Sequence, residues 1–270
     1  MRYVAPAREA VDPRLFERLP LAAWHEYAVL LEGQAWPSSA DLNGYLPDST
    51  TIRFVTQDHV LLADGLHYEQ RIAERGEIAT RERNWHDLFN ALIWLRYPSI
   101  KRALNAQQVT EIGLMGPKVR SRPQCALTHF DEAGVVVSLR DPALLALWDA
   151  HDWYGLFWHH RQAWLDGSIR VEIIGHALLE HALTPDKLLV GKALVVMATS
   201  VDDAVAMCAS AIADGRLLRD PLELRPLPLS GIPGWHIDND GEGFHRTTAC
   251  YQPLRAGRCY PFPLGNLLPL

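Results

Sequence analysis

The sequence predicts an α+β fold: a helix-rich single domain with a small, largely antiparallel sheet. Three observations carry this. Stretches such as 84–95 and 200–215 read as helices that begin on capping residues. Short β-prone runs at 51–55, 169–175 and 188–198 interrupt them irregularly, without the regular alternation of a doubly wound sheet. The 270 residues are 48% hydrophobic, enough apolar material for one full core.

Residues 1–45 are read as an N-terminal helical extension. They are punctuated by proline, and "DPRLFERL" and "SSADLNGYL" each begin on a capping residue. "TIRFV" (51–55) reads as a strand. The stretch 59–81 reads as two extended arms, with turns near Asp64-Gly65 and Gly76. "NWHDLFNALIWL" (84–95) is a helix capped by Asn84, and Asp87 completes a capping-box-like start. Pro98 ends it, and "SIKRALNAQQ" (99–108) begins another helix. "CALTHFDEAGVVVSL" (125–139) reads as a hairpin turning at Asp131-Glu132-Ala133-Gly134. From Asp141 to Gly167 the pattern is helical. "IRVEIIG" (169–175) is a strand followed directly by the helix "HALLEHAL". Ser200 caps a helix ending near Gly215. The segment 220–270 is rich in proline and glycine and reads as a long irregular loop over the surface.

The net charge is −6, which argues against a generic nucleic-acid coat. The charge is uneven, however. Residues 70–122 hold ten Lys/Arg against five Asp/Glu, so this stretch is +5 and the remainder −11. Such a local field could attract a phosphate or carboxylate ligand, but a solvated face of ordinary ion pairs is the simpler reading. No signal-like apolar segment opens the chain and no run reaches membrane-span length. The four cysteines form no CxxC pair. A cytoplasmic protein with reduced thiols and no membrane partner is the expectation. There is no phosphate-binding glycine loop and no GxSxG elbow.

Polar residues inside apolar helices mark the candidate site. His86 and Asn90 stand four apart on a helix that is apolar in nearly every other direction, and buried polar groups need partners or a ligand. His176 and Glu180 have the same spacing, which suits two ligands of one metal or a base with its orienting carboxylate. The pattern is not HExxH, because Ala177 and Leu178 follow His176. Gly175 permits a close backbone approach just before that helix. Asp131 and Glu132 serve either as turn formers or as holders of a divalent cation. Arg161, in "FWHHRQAW", could clamp an anion.

Taken in order, "YEQRI", "NWHDLFNALIWL", "LTHFDE", "GHALLE" and "PLPLSGIPGW" give a further indication. Over residues 50–235 the chain resembles a bacterial family known only as a domain of unknown function. The tail departs from that pattern: Tyr251-Gln252-Pro253 stands where the family has an aromatic-Arg-Pro run. The resemblance implies one domain and brings no activity. It does pick out Glu69, Arg81, His86, Asp87, Asn90, Lys101, Asn105, Asp131, Glu132, Arg161, His176 and Glu180 as motif residues.

The reading that follows is a hydrolase acting on a phosphorylated or otherwise anionic substrate, a small molecule or a nucleic acid. His86, His176, Glu180 and Asp131 would form its catalytic set. Arg81, Asn90, Lys101 and Arg161 would bind substrate. A divalent metal would activate water, or His86 would act as general base with Glu180 orienting it. The alternative is a non-catalytic binding or scaffold protein whose buried polar residues specify the fold. The first requires His86 and His176 to meet in a cleft; the second requires each to be satisfied separately.

Overall fold

The structure is a computed structural model that describes residues 3–116 and 120–265. The architecture is α+β, with helices around a four-stranded, mostly antiparallel sheet and a separate two-stranded parallel sheet. No helix among the described residues is long and apolar enough to cross a membrane.

The N-terminal segment forms short 3-10 turns over 13–17 and 21–27, then α1 (Ala28–Glu32) and α2 (Ser39–Asn43). Phe16, Trp24, Leu30 and Leu42 are buried in the same apolar core as the central helices. β1 (Arg53–Thr56) follows, then α3 (His59–Leu62), α4 (Tyr68–Arg75) and β2 (Glu77–Thr80), which pairs in parallel with β1. The extended arms expected over 59–75 are therefore helices. Asp58 and His67 cap them, and buried Arg71 ties α4 to Asp64 and Glu77.

α5 (Trp85–Arg96) is the buried centre of the helical layer. Asn84 caps it by accepting from Asp87 N, while Phe89, Ala91, Leu92 and Ile93 are fully buried. Burying a side chain such as Phe, Leu or Ile contributes about 1.5–3 kcal/mol. The capping box is only half made, because the Asp87 carboxylate turns to Arg81 instead of back to Asn84. Pro98 occupies the first turn of α6 (Pro98–Met115), where a missing N–H costs nothing.

The hairpin expected over 125–139 is the largest correction. Residues Arg122–Ala133 form helix α7, and only Gly134–Leu139 is a strand, β3. Ser121 accepts from Gln124 N and Gln124 returns to Ser121 N, a complete capping box with Pro123 in the first turn. That start overrides the β-prone "CALTHF". The helix expected over 141–167 is also broken. α8 (Pro142–Asp149) stops before His151, whose φ is 55°; a π-helical turn and α9 (Arg161–Leu165) follow.

β4 (Ile169–Ile173), α10 (His176–Ala182), β5 (Val190–Met197) and α11 (Val201–Ala213) then complete the layer. Part of the segment expected as a surface loop is β6 (Arg225–Pro228), followed by a short α12 (Glu242–Thr247). The sheet order is β4-β3-β5-β6, with β3 and β5 parallel and both outer pairs antiparallel. Pro226 and Pro228 cannot donate to a ladder, which suits the outer place of β6.

One junction brings distant segments together. Ile174 and Gly175 both donate their N–H to Gly134 O, at 3.0 and 2.8 Å. A Cβ on Gly175 would stand 2.4 Å from Gly134 N and 2.5 Å from Ala133 Cα, so only glycine fits. The C-terminal end of α7 is thereby clamped against the start of α10.

Candidate metal centre

That clamp sets Asp131 and Glu132 at the end of α7 beside His176, the first residue of α10. α5 packs against α10 and delivers His86 to the same point. The two imidazoles meet edge to face with ring centroids 4.3 Å apart, and their Nε2 atoms are 2.9 Å apart. Glu132 Oε2 stands 3.9 Å from His86 Nε2 and 3.7 Å from His176 Nε2. A point equidistant from these three atoms lies roughly 2.1 Å from each, the length of a zinc–nitrogen or zinc–carboxylate bond. His86, Glu132 and His176 form a group that could hold a metal ion.

The surrounding groups fix this arrangement. His86 Nδ1 is 2.9 Å from Glu180 Oε2; as a carboxylate, Glu180 accepts the Nδ1–H and leaves Nε2 a free lone pair. His176 is 4% exposed, and its Nδ1 makes no well-formed hydrogen bond among the described residues, although it faces the backbone of Asp131. Asp131 Oδ2 is the nearest carboxylate oxygen, 3.9 Å away. If the imidazoles merely bonded each other in neutral form, His176 would turn a bare lone pair towards that anion. A cation between the two Nε2 atoms reverses this. His176 then carries its proton on Nδ1, facing Asp131. Burial pushes the His176 pKa down to about 3, which keeps it neutral and able to ligate. Burial also opposes charge on His86, but Glu180 and Glu132 outweigh it and raise its pKa.

The centre opens into a cleft of about 350 Å³ between α4, α5, α6 and α7. Asn90 bridges its wall, giving Nδ2–H to Tyr68 Oη and accepting Lys101 Nζ–H at 2.9 Å. Lys101 is buried; its ammonium also donates to Asp131 and lies 5.4 Å from the Trp94 ring centroid. Lys101 outweighs the burial that would raise the Asp131 pKa, and holds it below the usual carboxylate range. Further along, Glu69 Oε2 accepts from Asn105 Nδ2 at 2.6 Å. Burial pushes the Glu69 pKa up to about 7, with Asn105 opposing and the Asp131 charge adding.

Seven of the eight sequence-predicted site residues come together here: Arg81, His86, Asn90, Lys101, Asp131 and His176 line the cleft, and Glu180 supports His86. Their parts differ from the expectation. Asp131 is spent on Lys101, and its neighbour Glu132 is the carboxylate that faces both imidazoles. Arg81 is clamped by Asp87 and Lys101 by Asp131, so neither offers free charge to a ligand. Other cations of the basic stretch are likewise paired within the chain, Arg71 with Asp64 and Glu77 and Arg122 with Asp220. Arg161 lies elsewhere. It donates to Asn239 O and Asp240, because the broken helix points it at the C-terminal segment. Glu69 and Asn105, absent from the predicted site set, do line the cleft.

A family described as "Protein of unknown function (DUF3025)" matches residues 52–255. Compared with curated proteins and with solved structures, the chain matches none. Every residue of the centre and its cleft named above lies inside the matched stretch.

Proposed function

The chain belongs to the DUF3025 family, and from its cleft we propose that it is a metal-dependent hydrolase. One observation carries the reading: two imidazole nitrogens and one carboxylate oxygen spaced as three corners of a coordination shell, open on the side of a cleft. Three protein ligands with an open position is the pattern of catalytic rather than structural zinc sites. The N,N,O donor set suits zinc and also manganese or iron(II).

His86, His176 and Glu132 would hold the ion, with Glu180 and Asp131 orienting the two imidazoles. A bound divalent cation would supply polarisation of a water and of the scissile group. A divalent ion with one ligating carboxylate leaves a net single positive charge at the open side. We therefore keep an anionic substrate, a phosphoester or carboxylate-bearing ester, although Arg81 and Lys101 do not supply the attraction. A purely scaffolding role fits Asn90, Lys101 and Tyr68, which are mutually satisfied. It leaves His176 Nδ1 and the open cleft without a purpose.

The test is metal content. Protein stripped with chelator and titrated with zinc or manganese in a calorimeter is expected to take up one ion per chain. Its unfolding midpoint should rise with free metal as mass action requires. Binding should be lost on His86→Ala, His176→Ala or Glu132→Ala. A protein that binds neither ion and whose midpoint does not move would overturn the proposal.

A further inference from the structure

Glu69 is no ligand of the proposed centre, yet its carboxyl lines the same cleft. It stands at the first turn of α4 and is held twice by one buried residue: Asn105 Nδ2 donates to its backbone oxygen at 2.9 Å and to its Oε2 at 2.6 Å. The other carboxyl oxygen has no protein partner among the described residues. Asn105 and Lys101 are one turn apart on the same face of α6, about 6 Å along its axis. Lys101 marks the metal end of the cleft through Asp131, and Asn105 marks the position of Glu69. Glu69 thus faces the same cleft as the centre, with its carboxyl within electrostatic reach of Lys101 and Asp131. The rest of that wall is mixed: Gln108 Nε2 donates to Thr128 Oγ1, Ile112 and Leu127 are apolar, and Arg120 adds a cation.

We propose that Glu69 is the catalytic acid of this site, giving its proton to the oxygen or nitrogen that leaves when an anionic ester or amide is hydrolysed. The assignment rests on the hydrolase reading above. As the bond to the acyl or phosphoryl centre breaks, its electron pair stays with the leaving atom. That atom takes the Glu69 proton and departs as an alcohol or amine. The carboxylate left behind recovers a proton from the water that enters for the next cycle, and the hydroxide so formed is the next attacking group. The net change is one bond cleaved and one water consumed. The proton is available because burial keeps the carboxyl protonated near neutral pH. The charged groups that act on it are Lys101 from α6 and Asp131 from α7, with Tyr68 beside it on α4; His67 and Arg120 line the same cleft.

The test compares zinc-loaded wild type with Glu69→Gln on two esters, phenyl phosphate and p-nitrophenyl phosphate. Phenolate is the poorer leaving group and needs the proton. The expected result is a loss of roughly 10²- to 10⁴-fold in kcat on phenyl phosphate, with a much smaller loss on the nitrophenyl ester. In wild type, carbon-13 spectra of the glutamate carboxyls should show one group titrating near neutral pH, absent from the variant. Equal losses on both esters, or a Glu69 carboxyl that titrates with the ordinary ones, would overturn the assignment and leave the hydrolase reading standing. A metal-loaded wild type inactive on both esters would overturn both.

Discussion

Two histidines of this protein are buried to nearly the same degree and in opposite circumstances. His176 is 4% exposed and His245 is 1% exposed. His245, in α12, has a partner on each ring nitrogen: Tyr251 Oη at 2.8 Å on Nδ1 and Asn239 O at 2.9 Å on Nε2. Asn239 in turn gives its amide hydrogens to Ser230 O and Ile232 O. Nothing in that cluster is left over. At His176 one nitrogen faces another imidazole, the other makes no well-formed hydrogen bond among the described residues, and the neighbouring Glu132 is 44% exposed. Burial alone does not separate these two histidines. The count of satisfied nitrogens does.

Exchanging the damage between the two sites should break the comparison if it is wrong. His176→Ala removes one of the three proposed ligands and is expected to weaken zinc binding by more than about 100-fold, beyond the usual cost of losing a supporting residue. His245→Ala should leave zinc affinity unchanged and instead lower stability by about 2–4 kcal/mol, because it opens a hole and strands the Tyr251 hydroxyl, while the Asn239 carbonyl keeps only its bond from Arg161. Calorimetric titration and denaturant unfolding of both variants read the two outcomes. Equal effects of both variants on metal affinity would erase the distinction.

Glu180→Gln sharpens the open site. The amide keeps the shape and the oxygen near His86 Nδ1, but not the charge that makes the imidazole a better donor. Zinc affinity should fall roughly 10- to 100-fold with the fold intact. Glu69→Gln separates the cleft from its metal. The folded-state pKa of Glu69 lies above its ordinary value, so folding takes up a proton there. Wild type therefore loses stability relative to the variant as pH rises from about 4.3 through about 7, with no further change above. After discounting for its partial exposure, the gap at pH 8 should be about 1–2 kcal/mol in favour of Glu69→Gln. Unfolding curves across pH measure it, and a gap independent of pH would show that Glu69 ionises normally.

The sequence is legible wherever a signal is local. Asn84 and Ser200 mark helix starts through their own chemistry, and each stands where it was expected. Pro98, expected to end one helix, also sits in the first turn of the next. His86 and Asn90 on one face of an apolar helix do turn to a common cleft. The failures share a cause. "CALTHFDEAG" has the look of a strand and turn, and the Ser121–Gln124 capping box that decides for helix lies just before it. Read as a turn, Asp131 and Glu132 seem interchangeable. On a helix, adjacent residues point apart, one to Lys101 and the other to the imidazoles. Nor can periodicity show that a glycine at 175 meets a glycine at 134, although that contact assembles the centre.

Arg161 supplies the smallest expected effect and ties the two regions back together. From sequence it was a candidate anion clamp; in the structure it props the closed cluster instead. Its Nη1 donates to the same Asn239 carbonyl that partners His245. Its Nη2 pairs with Asp240, whose side chain is 86% exposed, so solvent screens most of that attraction. The Asn239 carbonyl keeps its bond to His245 when Arg161 is removed, and no buried group is stranded. Arg161→Ala should therefore cost less than about 1 kcal/mol of stability and leave both zinc affinity and phosphate-ester turnover at wild-type values. A large loss of turnover in that variant would mean that the cleft reaches further than its lining shows, and that the two histidine sites are coupled rather than separate.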